Sequence, residues 1–108
     1  MERRWTTRTR LGIDVQVAYD GGELKGCRTR DIGLGGVYVT SADPLPVGQF
    51  VELTFDVPVG GEDEQPRIRA KVVRSANEGM GLMFRDFDAT AFRSLQRVMK
   101  IKDSAFAP

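Results

Sequence analysis

A mainly-β fold, a small six-stranded antiparallel β-barrel with a C-terminal α-helix, is what this sequence predicts, and three observations lead to it. Apolar and polar residues alternate with period two in several short runs between residues 13 and 84, the pattern of strands with one face in a core. Glycine, proline and Asp/Asn clusters separate the runs, as hairpin turns require. Beyond residue 86 the apolar spacing becomes that of an amphipathic helix.

The first run sets Ile13, Val15, Val17 and Tyr19 against Asp14, Gln16 and Ala18, and ends at Asp20-Gly21-Gly22, a strong hairpin signal. Leu24 to Ile32 is the return strand, with Cys27 and Thr29 on one face and Arg28 and Arg30 on the other. Val37 and Val39 form a third strand after a glycine-rich turn. Ser41 to Gly48 carries Pro44 and Pro46 and reads as loop. From Phe50 to Val57, Val51, Leu53, Phe55 and Val57 point inward against Glu52, Thr54 and Asp56.

Pro58 to Pro66 is a polar loop holding the acidic run Glu62, Asp63 and Glu64, most simply a solvated patch. Ile68, Ala70 and Val72 then oppose Arg67, Arg69 and Lys71, which read as the outer face of a strand. Met80, Leu82 and Phe84 form the last strand, entered through Asn77-Glu78-Gly79. Phe87, Ala91, Leu95 and Val98 follow helical spacing, with Phe92 and Met99 widening the stripe. Asp88 suits an N-cap, and Lys100 and Lys102 suit a helix C-terminus. The expected organisation is one domain over residues 1–108: an arginine-rich flexible arm at 1–11, the barrel at 12–86 and the helix at 88–102.

Composition removes most kinds of chemistry. At 108 residues, a chain hides about 60–65 % of the surface its unfolded form exposes, so the core is modest. Sixteen Lys and Arg against fifteen Asp and Glu give a net charge of +1, too low for a general polyanion binder, so no nucleic-acid partner is expected. The sequence has no histidine, which eliminates Ser-His-Asp and Cys-His arrangements and the commonest metal ligand. Cys27 is the one cysteine; it allows no internal disulfide, and it reads as a small core residue. No acid–base pair or nucleophile dyad can be assembled, so the chain is expected to be no enzyme, with no metal and no cofactor. A charged N-terminus without an apolar run behind it, and no stretch near the roughly 20 apolar residues of a membrane span, point to a cytoplasmic protein without membrane insertion.

Two clusters remain. Arg4-Trp5-Thr6-Thr7-Arg8 sets two guanidiniums four residues apart, inside a run that also holds Arg3 and Arg10. Asp31-Ile32-Gly33-Leu34-Gly35-Gly36 places a carboxylate at a strand end, followed by backbone without side chains. Arginine matches phosphate with two-pronged geometry, stacks on flat rings and pairs with one edge of guanine. An ionised Asp31 can accept from the N1–H and N2–H on the base's other edge. Gly33, Gly35 and Gly36 let ligand and backbone approach, so that amides can face an anion. Trp5 is most simply an apolar anchor for the arm.

In these residues the chain resembles the PilZ family, the bacterial receptors for cyclic di-GMP. Those domains carry RxxxR in an N-terminal arm and (D/N)xSxxG between the second and third strands of a six-stranded barrel, with a C-terminal helix. Here the counterparts are R4-W-T-T-R8, D31-I-G-L-G-G36 and the late strand G79-M-G-L-M-F84, and the resemblance spans residues 2–102. It implies phosphate and guanine contacts from Arg4 and Arg8, a guanine-edge acceptor in Asp31, and a tight turn at Gly36. Arg3, just ahead of the motif, holds a place that in the family influences whether one or two stacked nucleotides bind. Gly33 stands where the family has serine. The missing neutral hydrogen bond is worth roughly 0.5–1.5 kcal/mol, about a tenfold loss of affinity at most.

The resemblance therefore implies a cyclic di-GMP receptor that orders its arm on binding and signals through a downstream protein partner, as a monomer or homodimer. The alternative is a degenerate module of the same fold that binds protein and no nucleotide.

Overall fold

A computed structural model of the chain describes residues 9–33, 35–56, 66–85, 89, 90, 93, 95 and 96. Seven strands are present: β1 (Thr9–Arg10), β2 (Asp14–Tyr19), β3 (Gly22–Ile32), β4 (Gly36–Thr40), β5 (Phe50–Phe55), β6 (Arg67–Ala76) and β7 (Gly79–Phe84). All pairings are antiparallel, in the order β1-β3-β2-β5-β6-β7-β4, and an added β3–β4 ladder closes β2 to β7 into a six-stranded barrel. Closure removes the free edges that an open sheet of this size would expose.

The inward positions are the ones the alternation assigns. Val15, Val17, Cys27, Val37, Val39, Val51, Leu53, Phe55, Ile68, Ala70, Val72, Met80, Leu82 and Phe84 are all buried in one cluster, with Leu11, Ile13, Ile32 and Leu45. Burying each large aliphatic side chain contributes about 1.5–3 kcal/mol, so this cluster is the fold's main driving force. Leu95 also lies fully in the core. The predicted helix over 88–102 lies mostly outside the described residues. Of it, Ala89, Thr90, Arg93, Leu95 and Gln96 are described, as separate positions with helical backbone, and they define no complete helix.

Thr9 and Arg10, which the sequence assigns to the arm, are strand residues. β1 pairs with the end of β3, Thr9 opposite Ile32 and Arg10 opposite Asp31. The short link to β2 is fastened by buried polar groups. The Thr29 hydroxyl donates to the Leu11 carbonyl and accepts the Ile13 N–H at 2.9 Å. Leu11 N–H reaches Arg30 O at 3.1 Å, and Thr29 N–H reaches Ile13 O at 2.9 Å. Outside, Arg28 bonds Asp14 at 2.9 Å and the Gly12 carbonyl at 2.8 Å.

Three register shifts interrupt the regular ladders. One lies between β2 and β3, where Val15 faces Cys27 but Val17 faces Leu24. Gly26, with φ of 74°, supplies there the left-handed conformation that a residue with Cβ resists. The other two fall between Thr29 and Asp31 against β4, and between Val72 and Arg74 against β7. Both re-aim side chains at one patch of the outer surface.

Candidate functional site

The bulge at Arg30 decides where Asp31 points. Thr29 opposes Val39, an inward residue, and Ile32 opposes Val37, also inward. Asp31 opposes Tyr38, and directly opposed residues share a face. One extra residue therefore turns Asp31 out of the core and onto the outer surface beside the tyrosine. The bulge at Val73 does the same for Arg74, which opposes Gly81. Arg10–Asp31–Tyr38–Gly81–Arg74 is then one transverse row across β1, β3, β4, β7 and β6.

A cleft of about 340 Å³ runs along this row, lined among others by Arg30, Asp31, Tyr38, Val73, Arg74 and Gly81. It falls in the size range of small-molecule sites. Tyr38 forms its floor. The ring lies over β7 where side chains are absent: a Cβ at Gly79 would sit 2.6 Å from Tyr38 Cε1, and one at Gly81 would lie 4.0 Å from Cδ2. The glycines of Gly79-Met80-Gly81 thus make a bed for the tyrosine. Arg30 covers the ring, its guanidinium carbon 4.0 Å from the ring centroid. The same guanidinium, through Nε, bonds Asp31 Oδ2 at 2.9 Å.

The Asp31 carboxylate is largely buried while the Arg30 side chain is half exposed. A carboxylate withdrawn from water keeps its charge only where charged or polar partners hold it. Arg30 is one such partner, and it engages both an acceptor edge and a π-face, the two surfaces a flat hydrogen-bonding base would use.

Of the residues singled out from sequence, Arg10 and Asp31 are brought together directly. Gly33, Gly35 and Gly36 belong to the adjoining turn, where one of the three amides is engaged within the turn itself. Gly33 N–H is committed to Gly36 O at 2.9 Å, and Gly35 O accepts Phe84 N–H at 3.0 Å. Gly36 is needed for closeness: a Cβ there would be driven into the Leu82 carbonyl oxygen and would lie 3.3 Å from its carbon. Arg3, Arg4, Trp5 and Arg8 lie outside the described residues. Cys27 is buried and has no disulfide partner.

Sequence reasoning missed Arg30, Val73, Arg74 and Gly81 as cleft residues and gave Tyr38 no firm role. A signal was present. Inward residues Cys27 and Thr29 are odd-numbered and Ile32 is even, so the apolar phase slips by one between them, and such a slip marks a bulge.

Comparison with known proteins follows the same lines. The family model described as PilZ domain matches residues 2–100. Three solved structures share the fold. The PilZ domain of CeSA from a cellulose-synthesizing bacterium has 20 % identity and a TM-score of 0.70, covering 89 % of this chain and 98 % of its own. The inhibitor of motility MotI/DgrA of Bacillus subtilis has 21 % identity and a TM-score of 0.69; the match covers 99 % of this chain but 54 % of that protein. The PilZ domain of YcgR from Escherichia coli, solved with c-di-GMP, has 17 % identity and a TM-score of 0.68, covering 97 % and 95 %. No curated protein sequence matches the chain.

Proposed function

The chain belongs to the PilZ family, and from that premise we propose that it is a receptor for cyclic di-GMP that passes its signal to a protein partner. The observation that carries this reading is the Arg10–Asp31 pairing. It fixes the root of the arginine segment beside the cleft. Arg8 directly precedes Thr9 in sequence. Arg4, five residues from Thr9, has a reach of at most about 16–18 Å. Both guanidiniums are therefore within range of a ligand seated on Tyr38.

In this reading Arg4 and Arg8 hold phosphate and a guanine edge, with Arg3 and Arg10 adding positive charge, and Asp31 accepts from the opposite edge of the base. Arg30 leaves either the carboxylate or the ring as the nucleotide enters, since both are already engaged. Ordering of the arm over the ligand creates the surface a partner reads. Gly33 contributes no hydroxyl, so affinity is up to about tenfold below that of a serine-bearing site.

Calorimetric titration with cyclic di-GMP tests the reading, with Arg8→Ala and Asp31→Ala as comparison variants. Binding by the wild type and its loss in both variants is expected; absence of binding at tens of micromolar nucleotide sinks it. Two observations favour a second reading, a protein-binding module without nucleotide. Gly33 lacks the family's hydroxyl, and Arg30 already occupies both the Asp31 carboxylate and the Tyr38 ring. In that case arginine substitutions impair partner binding and nucleotide has no effect on it.

A further inference from the structure

The outer face of β5, β6 and β7 carries a second surface, beside the cleft and distinct from it. Among the described residues the exposed large hydrophobics are Val47, Phe50, Val73 and Met83, and the pairing register sets Phe50 and Met83 on either side of Lys71. Phe50 opposes Lys71, and Lys71 opposes Met83, so the three form one row across the sheet. Val73 lies two residues beyond Lys71 on β6. Val47 precedes Gly48, whose N–H bonds Val72 O at 2.8 Å.

The charge on this face has one dominant sign. The outward side chains of β6 include Arg67, Arg69 and Lys71, and Arg85 N–H bonds Arg69 O at 2.9 Å, which sets Arg85 beside them. Opposing them across the β5 ladder is Glu52. The Phe50 ring, half exposed, carries two cations: Arg85 at 4.4 Å and Lys71 at 5.6 Å from its centroid. Two like charges on one ring repel each other, and an incoming carboxylate relieves that repulsion. The face of β2 and β3 offers a contrast. There Arg28 is paired with Asp14 and Gln16 with Glu23, and none of the exposed large hydrophobics belongs to either strand.

We infer that the Phe50–Lys71–Met83 row with Arg85 and Val47 is a docking face for an acidic protein segment that carries an apolar side chain between its carboxylates. Aromatic and arginine side chains dominate binding energy at protein interfaces, and an exposed methionine adapts to irregular apolar partners. A polyanion fits less well. Glu52 and Asp20 border the depression around Phe50, which suits a segment with a few spaced carboxylates better than a continuous phosphate backbone, and Val47, Val73 and Met83 offer apolar contact that such a backbone does not use. The face adjoins the cleft through Val73, which lines it, and through Met83, which opposes Gly36. A ligand in the cleft and a partner on this face would touch the same two strands. The face thus supplies the partner surface of the receptor reading above, and its regulatory meaning rests on that reading; its chemistry does not.

The test is titration of the isotopically labelled full chain with a synthetic peptide of glutamates flanking a Leu-Phe pair, followed by amide shifts at low salt. Controls are the same peptide with lysines for glutamates, an oligo-dT strand and phosphatidylglycerol vesicles. Expected is a dissociation constant near 100 µM or tighter, shifts centred on Phe50, Lys71 and Met83, and weakening of at least about tenfold in Phe50→Ala and in Lys71→Glu. Equal binding of the lysine peptide, tighter binding of the oligonucleotide or the vesicles, shifts centred elsewhere, or no binding up to about 1 mM each overturns the inference. Cyclic di-GMP titration of the same wild-type sample separates the two readings. Nucleotide binding without peptide binding removes the docking face alone, and peptide binding without nucleotide binding removes the receptor alone.

Discussion

Replacing Gly36 by alanine offers a direct measure of how tightly the candidate site is tied to the barrel. The new Cβ would overlap the Leu82 carbonyl oxygen and stand 3.3 Å from the Leu82 carbon and 3.4 Å from Met83 Cα. All three are backbone atoms, so no rotamer change relieves the clash, and the β4–β7 ladder itself has to move. Overpacking costs typically 1–3 kcal/mol, and a clash with backbone belongs at the top of that range, about 3 kcal/mol. Offsetting it is the smaller entropy of the unfolded alanine chain, about 0.4–1 kcal/mol. The net loss is then about 2–2.5 kcal/mol. At roughly 4–8 °C per kcal/mol for a domain of this size, the midpoint falls by about 8–20 °C.

Gly35 is the internal control, because a Cβ there meets nothing within 4 Å. Gly35→Ala is expected to be neutral or slightly stabilising, by less than about 1 kcal/mol. Urea denaturation followed by circular dichroism, with thermal melts alongside, reads both variants against wild type. If Gly36→Ala lies within about 0.5 kcal/mol of wild type, or if Gly35→Ala is as damaging, the close approach of β4 to β7 is not what fixes glycine at position 36.

Three further outcomes are expected. Thr29→Val keeps the shape but removes the hydroxyl that serves Leu11 O and Ile13 N–H. Leaving two buried groups unpaired costs about 2–4 kcal/mol, and exchange of the Ile13 amide should quicken in step. Gly79→Ala would place a Cβ 2.7 Å from both the Tyr38 hydroxyl and Val39 O; it is expected to lift Tyr38 from its bed and weaken nucleotide binding at least about tenfold, an aromatic contact and its geometry being worth about 1–3 kcal/mol. By contrast, the Arg28–Asp14 bridge joins two mostly exposed side chains. A double-mutant cycle should return a coupling below about 1 kcal/mol, and a larger value would mean that the Gly12 clamp matters more than its exposure suggests.

Local pattern made much of the barrel legible. Val15/Val17, Leu53/Phe55, Ile68/Ala70/Val72 and Met80/Leu82/Phe84 lie inside as period-two alternation demands, because each strand's two faces are set by its own backbone pleat. The turn at Asp20-Gly21 likewise follows from residues adjacent in sequence; Gly21 takes a φ of 120°. The arm's boundary was less legible. Thr9 and Arg10 carry no apolar pattern, and what makes them a strand is the free edge that the end of β3 offers them.

In the candidate site, Asp31 and Arg10 were visible as chemistry, since charge and hydrogen-bonding capacity belong to the residue itself. Their juxtaposition was not. By itself the sequence determined which strand faces are buried, which residues carry charge and hydrogen-bonding capacity, and that the fold is β. Only the tertiary structure decided that the slip in phase falls at Arg30, that Asp31 therefore faces outward beside Tyr38, and that Gly79 and Gly81 clear space for the ring. The physical reason is the range of the forces involved. Alternation is settled between neighbours along one chain, whereas a register shift is settled by hydrogen bonds between strands brought together from distant parts of it.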